Sequence, residues 1–265
     1  MKLYQFFAVI GFMFYATWSL TAAAADVAGK SPQQILDKAA DLLQSDDFRA
    51  DVEMRLVDHS GHERVRRLRS FSKREGQNTY SISSFYYPGD VAGTSFLAID
   101  KGGRSQRWLY LPALKKEKLI GKSERHKSYM GTDFTYADME GLKVDEYNLE
   151  LLPNKSSEFW IIKATPKTSQ IAKETGYSKS LVYVRKDNNI LVKAARQVVG
   201  SSKIKVMKIR ELQLIDGKWT AIETEMLTKL SGKVVHRTTL KLSNVSYRDG
   251  RSVSFFSPTS LAKGI

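Results

Sequence analysis

Residues Lys203 to Leu230 read KIKVMKIRELQLIDGKWTAIETEMLTKL, two arms of alternating apolar and polar residues joined by Asp216-Gly217. Period-two alternation over Lys203 to Ile215, and again over Trp219 to Leu230, marks strands with one face buried. Asp-Gly between two such runs is the strongest short hairpin signal, because both turn positions need positive φ. Downstream, Ser231-Gly232 leads into Val234 to Val245, where Val234, His236, Thr238, Leu240 and Leu242 share one face. Upstream, Asp187-Asn188-Asn189 turns Leu181 to Arg185 back into Ile190 to Val199. Phe159 to Thr165 and Leu149 to Leu152 precede them as strands.

The first half repeats this style. Phe48, Ala50, Val52, Met54 and Leu56 point one way, and Arg49, Asp51, Glu53 and Arg55 the other. Ser60-Gly61 turns that strand into Val65 to Lys73, which has a strongly basic outer side. Tyr80 to Tyr87, Thr94 to Asp100 and Arg107 to Leu111 follow, broken by Pro88-Gly89 and Lys101-Gly102-Gly103. Roughly ten strands with short turns predict an antiparallel meander that curls into a half-barrel or barrel. Ser31 to Leu43 is the expected helix, with Ser31 and Pro32 as cap and first residue and Ile35, Ala39, Leu42 and Leu43 as its apolar stripe.

One block is irregular. Leu111 to Leu142 carries Lys115, Lys116, Lys118, Lys122, Arg125 and Lys127, then SYMGTDFTYADM over Ser128 to Met139. Asp133 is the expected cap of a short helix over Phe134 to Leu142, giving a basic segment that feeds a lid over the sheet. No Pro- or Gly-rich linker or low-complexity tract divides the chain, so one domain is expected over 26–265.

The first 25 residues have another character. Lys2 precedes an apolar run from Phe6 to Leu20, and Thr21 to Ala25 supplies small residues for a cut before Asp26. That order is a secretory signal peptide over 1–25, the alternative being an uncleaved anchor. With no cysteine in 265 residues, an exported chain is held by its core alone and carries no lipid-modified cysteine, as suits a bacterial periplasm. Asn154 and Asn244 head Asn-x-Ser triplets that matter only in a eukaryotic secretory route. The net charge of +14 suggests an anionic partner such as a membrane surface or an acidic protein patch. No nucleic-acid partner is expected, since the basic residues are scattered among strands without an aromatic RNA-binding signature.

Chemistry-bearing patterns are sparse. His59 and His62 flank a turn with no third ligand at metal spacing, so no metal site is expected. His236 lies on an apolar strand face as a satisfied or cavity-lining group. Walker, dinucleotide and Gly-x-Ser-x-Gly motifs are absent, and Cys nucleophiles are excluded. Asp133 and Asp138 are close enough in sequence for acid/base work, though capping and solvent exposure explain them without chemistry. No enzymatic activity and no cofactor are expected. The aromatic and Met side chains on strands, Met207 among them, suit either a filled core or an apolar cavity, and pattern alone favours the filled core.

WLYLPALKK over Trp108 to Lys116, and SYMGTDFTY over Ser128 to Tyr136, resemble the bacterial outer-membrane lipoprotein-sorting (LolA-like) family. FYYPGDVAGT over Phe85 to Thr94 resembles the family segment just upstream, and FFSPTSL over Phe255 to Leu261 its closing segment. Two departures stand out: Arg104-Ser-Gln-Arg107 replaces a common acidic pair, and Thr132 stands where Ser is usual. The resemblance implies a mainly β fold with a few helices: a curved antiparallel sheet, LolA/LolB-like, with helices covering its concave side around a hydrophobic cavity. It also implies a periplasmic carrier of lipid or lipoprotein acyl chains, of a branch associated with inner-membrane resistance-nodulation-division (RND) exporters.

On that basis the expected cavity residues are Val52, Met54, Leu56, Leu97, Trp108, Tyr110, Trp160, Ile162, Tyr183, Met226 and Leu240. Pro112, Met130, Gly131, Asp133, Phe134 and Tyr136 form the family motif and lid. Arg66, Arg67 and Arg69 with Lys115, Lys116 and Lys118 form the expected basic docking face, unless they are simply a solvated sheet face. The alternative function is a transporter-associated adaptor that binds its membrane partner without carrying lipid.

Overall fold

The computed structural model describes residues 29–42, 47–141 and 143–263; the expected signal peptide over 1–25 lies outside them. Within the described residues a single antiparallel sheet of thirteen strands dominates. From its middle the chain meanders outward through β1 (Asp47–Asp58), β2 (Glu63–Glu75), β3 (Asn78–Tyr87), β4 (Ser95–Lys101), β5 (Arg104–Leu111) and the edge strand β6 (Lys116–Leu119). It then crosses to the opposite edge. There it enters β7 (Tyr147–Leu152) and returns through β8 (Phe159–Pro166), β9 (Tyr177–Arg185), β10 (Leu191–Val198), β11 (Lys203–Ile215), β12 (Lys218–Leu230) and β13 (Lys233–Ser246). β13 closes on β1, with Met54 opposite Leu240 and Leu56 opposite Thr238. The sheet is open and curved, as expected.

Local chemistry sets the turns. Asp216 and Gly217 have φ of 49° and 75°, and Ser231 and Gly232 of 49° and 80°, the two successive positive values that a tight hairpin matched to strand twist requires. The sequence reading places β11 with the observed ends. It misses β6, whose four exposed residues carry no alternation to detect.

Among the described residues four α-helices accompany the sheet: α1 (Pro32–Leu42), α2 (Tyr136–Met139), α3 (Ser169–Thr175) and α4 (Pro258–Lys263). In α1, Ser31 Oγ accepts from the Gln34 amide at 3.2 Å and Gln34 Oε1 accepts from the Ser31 amide at 2.9 Å, a reciprocal cap. α2 is shorter than expected and has a different cap. Thr135, not Asp133, holds its first turn: Thr135 Oγ1 accepts from the Asp138 amide at 3.1 Å, and Asp138 Oδ2 from the Thr135 amide at 2.8 Å.

Among the described residues three apolar clusters hold these elements together. The first fills the concave side of β1 to β5, where Met54, Leu56, Leu68, Phe85, Phe96 and Leu109 pack under Tyr129 and Tyr136 of the crossing segment. In the second, α1 lays Ile35, Leu36 and Ala39 on Trp160, Ile162, Val182 and Val184 of the concave far half. The third lies on the convex face, where Phe256 and Leu261 cover Phe71, Tyr80, Ile82 and Leu97. Full burial of each large side chain contributes about 1.5–3 kcal/mol. The C-terminal helix α4 therefore covers the convex face and not the concave one.

Candidate functional site

The crossing segment between β6 and β7 forms a lid over the middle of the sheet. Met130 and Gly131 take φ of 50° and 72°, folding the lid so that Ser128 bridges Thr135. Asp133 sits at its tip with only 3% exposure. Its Oδ2 accepts from Thr238 Oγ1 at 2.7 Å and lies 2.6 Å from His236 Nδ1, while Thr228 Oγ1 donates to Oδ1. The Asp133 amide donates to Thr238 Oγ1 at 3.0 Å, and Lys205 Nζ donates to the Asp133 carbonyl at 2.5 Å. Arg66 donates to the Met130 carbonyl from the other side. β2, β11, β12 and β13 thus all grip the lid through charge-assisted bonds, roughly twice as strong as neutral ones. Burial lowers the Lys205 pKa although Asp138 and Asp133 pull it upward.

The lid divides the concave side unequally. Over β1 to β5 its aromatic side chains fill the space: Phe96 meets Tyr129 edge-on and Tyr136 at a tilt, at centroid distances of 5.4 and 5.6 Å. Burial pushes the Tyr129 phenol up to about 12, a shift opposed by its bond with Ser83 Oγ. On the other side a cavity of about 240 Å³ remains between the lid and β8 to β12. Its apolar wall includes Phe134, Val182, Leu191, Met207, Ile209 and Met226, and small side chains at Ala164, Ser180 and Ala221 leave the room.

One end of the cavity is polar. Arg125, Asp138, Lys143, Glu146, Tyr177 and Arg196 line it. Arg125 meets Glu140 at 2.9 Å, Glu174 at 3.3 Å and Glu146 at 3.5 Å. Burial opposes its charge, but the Glu140 and Glu146 carboxylates outweigh that and raise its pKa. Tyr177 donates to Asp138 Oδ2 at 2.7 Å. Burial, reinforced by that carboxylate, holds the Tyr177 phenol far above its ordinary pKa. α3 supports this end. Thr168 caps it through the Ile171 amide at 3.2 Å, and Gly176 ends it at φ +82°, where a Cβ would meet His126 Cβ at 3.1 Å.

Of the expected cavity residues, Met226 lines this space. Val52, Met54, Leu56 and Leu240 face the concave side but belong to the filled half. Trp160 and Ile162 are also concave, beneath α1. Leu97, Trp108 and Tyr110 require correction: they face the convex side and pack with the C-terminal segment. Tyr183 is convex too, with Lys193 Nζ 4.5 Å from its ring centroid. The reason is strand alternation: Leu97 pairs with Trp108 and Ser95 with Tyr110, one residue out of phase with Phe96 and Leu109.

The basic face divides similarly. Arg66 points to the concave side and is half-buried against the lid, where burial and the neighbouring Arg64 charge lower its pKa. Arg67 and Arg69 are convex, paired with Glu53 at 3.2 Å and Asp51 at 3.5 Å, and lie over the rings of Tyr87 and Tyr86. Lys115, Lys116 and Lys118 are exposed at the β5–β6 hairpin, with Lys118 2.7 Å from Glu124. Of the motif residues, Pro112 opens the turn of that hairpin and packs near Gly93, Phe134 lines the cavity, and Tyr136 packs into the filled half. Sequence reasoning missed the small side chains that open the cavity. Their signal is spacing: Ala164 pairs with Ser180 across β8 and β9, so both stand on one face.

The fold is shared with solved structures. A putative outer membrane lipoprotein-sorting protein domain from Vibrio parahaemolyticus matches with a TM-score of 0.77 at 23% identity, covering 87% of this chain and 98% of that one. A DUF1329 family protein from Desulfovibrio piger gives 0.74 at 26% identity, covering 88% and 100%. A LolA superfamily protein from Nitrosomonas europaea gives 0.67 at 21%, covering 87% and 99%. The fold is therefore that of LolA-superfamily lipoprotein-sorting domains. In sequence, a family model described as "Uncharacterized protein" matches residues 77–263, well over half of the chain, and the chain belongs to that family. No curated protein matches it. Among the described residues no helix is long and apolar enough to cross a membrane.

Proposed function

We propose that the protein is a periplasmic carrier that holds an acyl chain of a lipid or lipoprotein beneath its lid and exchanges it with an inner-membrane RND-type transporter. The observation that carries this reading is the cavity walled by Phe134, Val182, Leu191, Met207, Ile209 and Met226. Each CH₂ moved from water into such a wall contributes about 0.8 kcal/mol. Likeness to structures of lipoprotein-sorting domains supports the same cargo class. The Phe6 to Leu20 run and the Ala cluster behind it support export. The transporter partner rests on sequence resemblance in the Trp108 to Tyr136 region. Carriage needs capture and release, so no catalytic group is assigned.

The test is lipid extraction and mass spectrometry on mature protein purified from a bacterial periplasm. Stoichiometric acyl lipid is the expected result. Protein that is lipid-free and also refuses added lipids overturns the carrier reading.

A further inference from the structure

The cavity beneath the lid has a neighbour. A second hollow of about 400 Å³ lies between the C-terminal end of α1 and strands β1, β2 and β12, and Ala221 lines both spaces. A shift in register puts this small side chain at the junction. A regular strand would set Thr224 and Ala221 on opposite faces. Here both line the lid cavity, because the pairing of β11 with β12 shifts between them: Thr224 stands opposite Ile209, Glu223 opposite Glu211 and Ala221 opposite Leu212. The bulkier Ile222 is left out of the pairing.

The lining changes along β12. Under the lid, Met226 to Ala221 covers about 16 Å of strand at roughly 3.3 Å per residue. An acyl chain of one membrane leaflet spans about 15 Å, half of the hydrocarbon core. Beyond Ala221 the wall passes to Trp219 and Lys218, and Ser70, Ser72 and Arg74 join it from β2.

The second hollow offers hydroxyl groups that a ligand can reach. Ser70 and Ser72 share one face of β2, opposite Ala50 and Phe48. Both are half-buried, and neither side chain makes a hydrogen bond among the described residues. Their polar neighbours are engaged: Arg74 meets Asp41 at 2.6 Å, and Lys218 Nζ lies 5.2 Å from the Tyr247 ring centroid. At the polar end of the lid cavity, by contrast, Arg125 is matched by Glu140, Glu146 and Glu174, and Tyr177 by Asp138. A hydroxyl both donates and accepts, so Ser70 and Ser72 suit the hydroxyl and ester oxygens of a glyceryl head and demand no net charge from it.

We propose that the two hollows form one track for an acyl chain esterified to glycerol, with the chain beneath the lid along Met226 to Ala221 and the glyceryl head beyond Ala221 at Ser70 and Ser72. This deepens the carrier reading above and rests on it. Glyceryl esters come from glycerophospholipids and from the S-glyceryl cysteine of lipoproteins, and the chemistry at the two serines is common to both.

Trp219, 41% exposed in the second hollow, reports on the head. The mature protein is titrated with palmitoyl lysophosphatidylcholine carrying a nitroxide either on its head or at the methyl end of its chain. The head label is expected to quench tryptophan fluorescence, and Trp219→Phe to remove that quenching; the chain-end label is expected to leave Trp219 bright. Ser70→Ala with Ser72→Ala is expected to weaken binding about tenfold, two modest hydrogen bonds being lost. A thermal melt establishes that the double variant folds, and the wild-type quenching stands as the test if it does not. Displacement of the probe by unlabelled lysophosphatidylcholine or by a palmitoylated S-glycerylcysteinyl peptide, whichever acts at lower concentration, assigns the source. Quenching of Trp219 by the chain-end label in place of the head label, or binding with no quenching by either, overturns this inference and leaves the carrier reading intact. Failure of both labelled lipids and of the peptide to bind overturns both.

Discussion

The carboxylate of Asp133, at the tip of the lid, accepts from the hydroxyl of Thr238 in the middle of β13 at 2.7 Å, although the two residues lie 105 positions apart. Thr238 is fully buried and stands opposite Leu56 and Met226 in the sheet. The lid is thus latched where the first and last strands meet, at the boundary between the filled and the hollow halves of the concave side.

Asp133→Ala removes the acceptor for Thr228 and Thr238 and the partner of His236 at once. Breaking a buried charged network by deleting one member costs about 3–5 kcal/mol. Hydrogen exchange is expected to quicken over 128–139 before the strands are affected, and urea unfolding to shift to lower midpoint. Unchanged protection over the lid would mean that its apolar packing holds it without the latch.

Filling the cavity separates binding from folding. Ser180→Leu puts an apolar side chain into the space under the lid without removing any hydrogen bond that Ser180 makes to another side chain. Displacing roughly two ligand methylenes is expected to weaken acyl-chain affinity about tenfold. The melting temperature is expected to hold or rise. The readout is calorimetric affinity beside a thermal melt.

The two halves of the concave side respond differently to truncation. Leu56→Ala in the filled half is expected to cost about 2–5 kcal/mol in urea unfolding. Acyl affinity in the surviving folded protein is expected to be unchanged. Trp108→Asp acts from the convex face and is likewise expected to destabilise the chain, whereas Met226→Asp strikes the cavity wall and abolishes binding.

High pH tests the burial of Tyr129. Its folded pKa of about 12 exceeds the ordinary phenol value of 10.0, so the folded state keeps the proton that the unfolded state releases. The contribution is complete below pH 10 and is lost as pH rises from 10 towards 12, a few kcal/mol in all. Urea midpoints measured across that range are expected to fall in the wild type and to fall less in Tyr129→Phe.

Sequence by itself determined the sheet. Alternation over Lys203 to Leu230, with Asp216-Gly217 between the arms, specifies two strands and their turn locally, because side-chain period and positive φ are properties of neighbours in the chain. The same reasoning found the lid segment and the one-face stripe of His236, Thr238 and Leu240. It does not say which of two alternating faces is concave, and Leu97, Trp108 and Tyr110 lie on the face opposite to the expected one. Nor could it bring Asp133 to Thr238 or Asp138 to Arg196, because those contacts form only when the crossing segment lies over a sheet that has curved. Whether the concave side is hollow was a tertiary decision as well. Phe96, Tyr129 and Tyr136 close one half, and Ala164, Ser180 and Ala221, unremarkable on their separate strands, leave the other half open once register sets them on one wall.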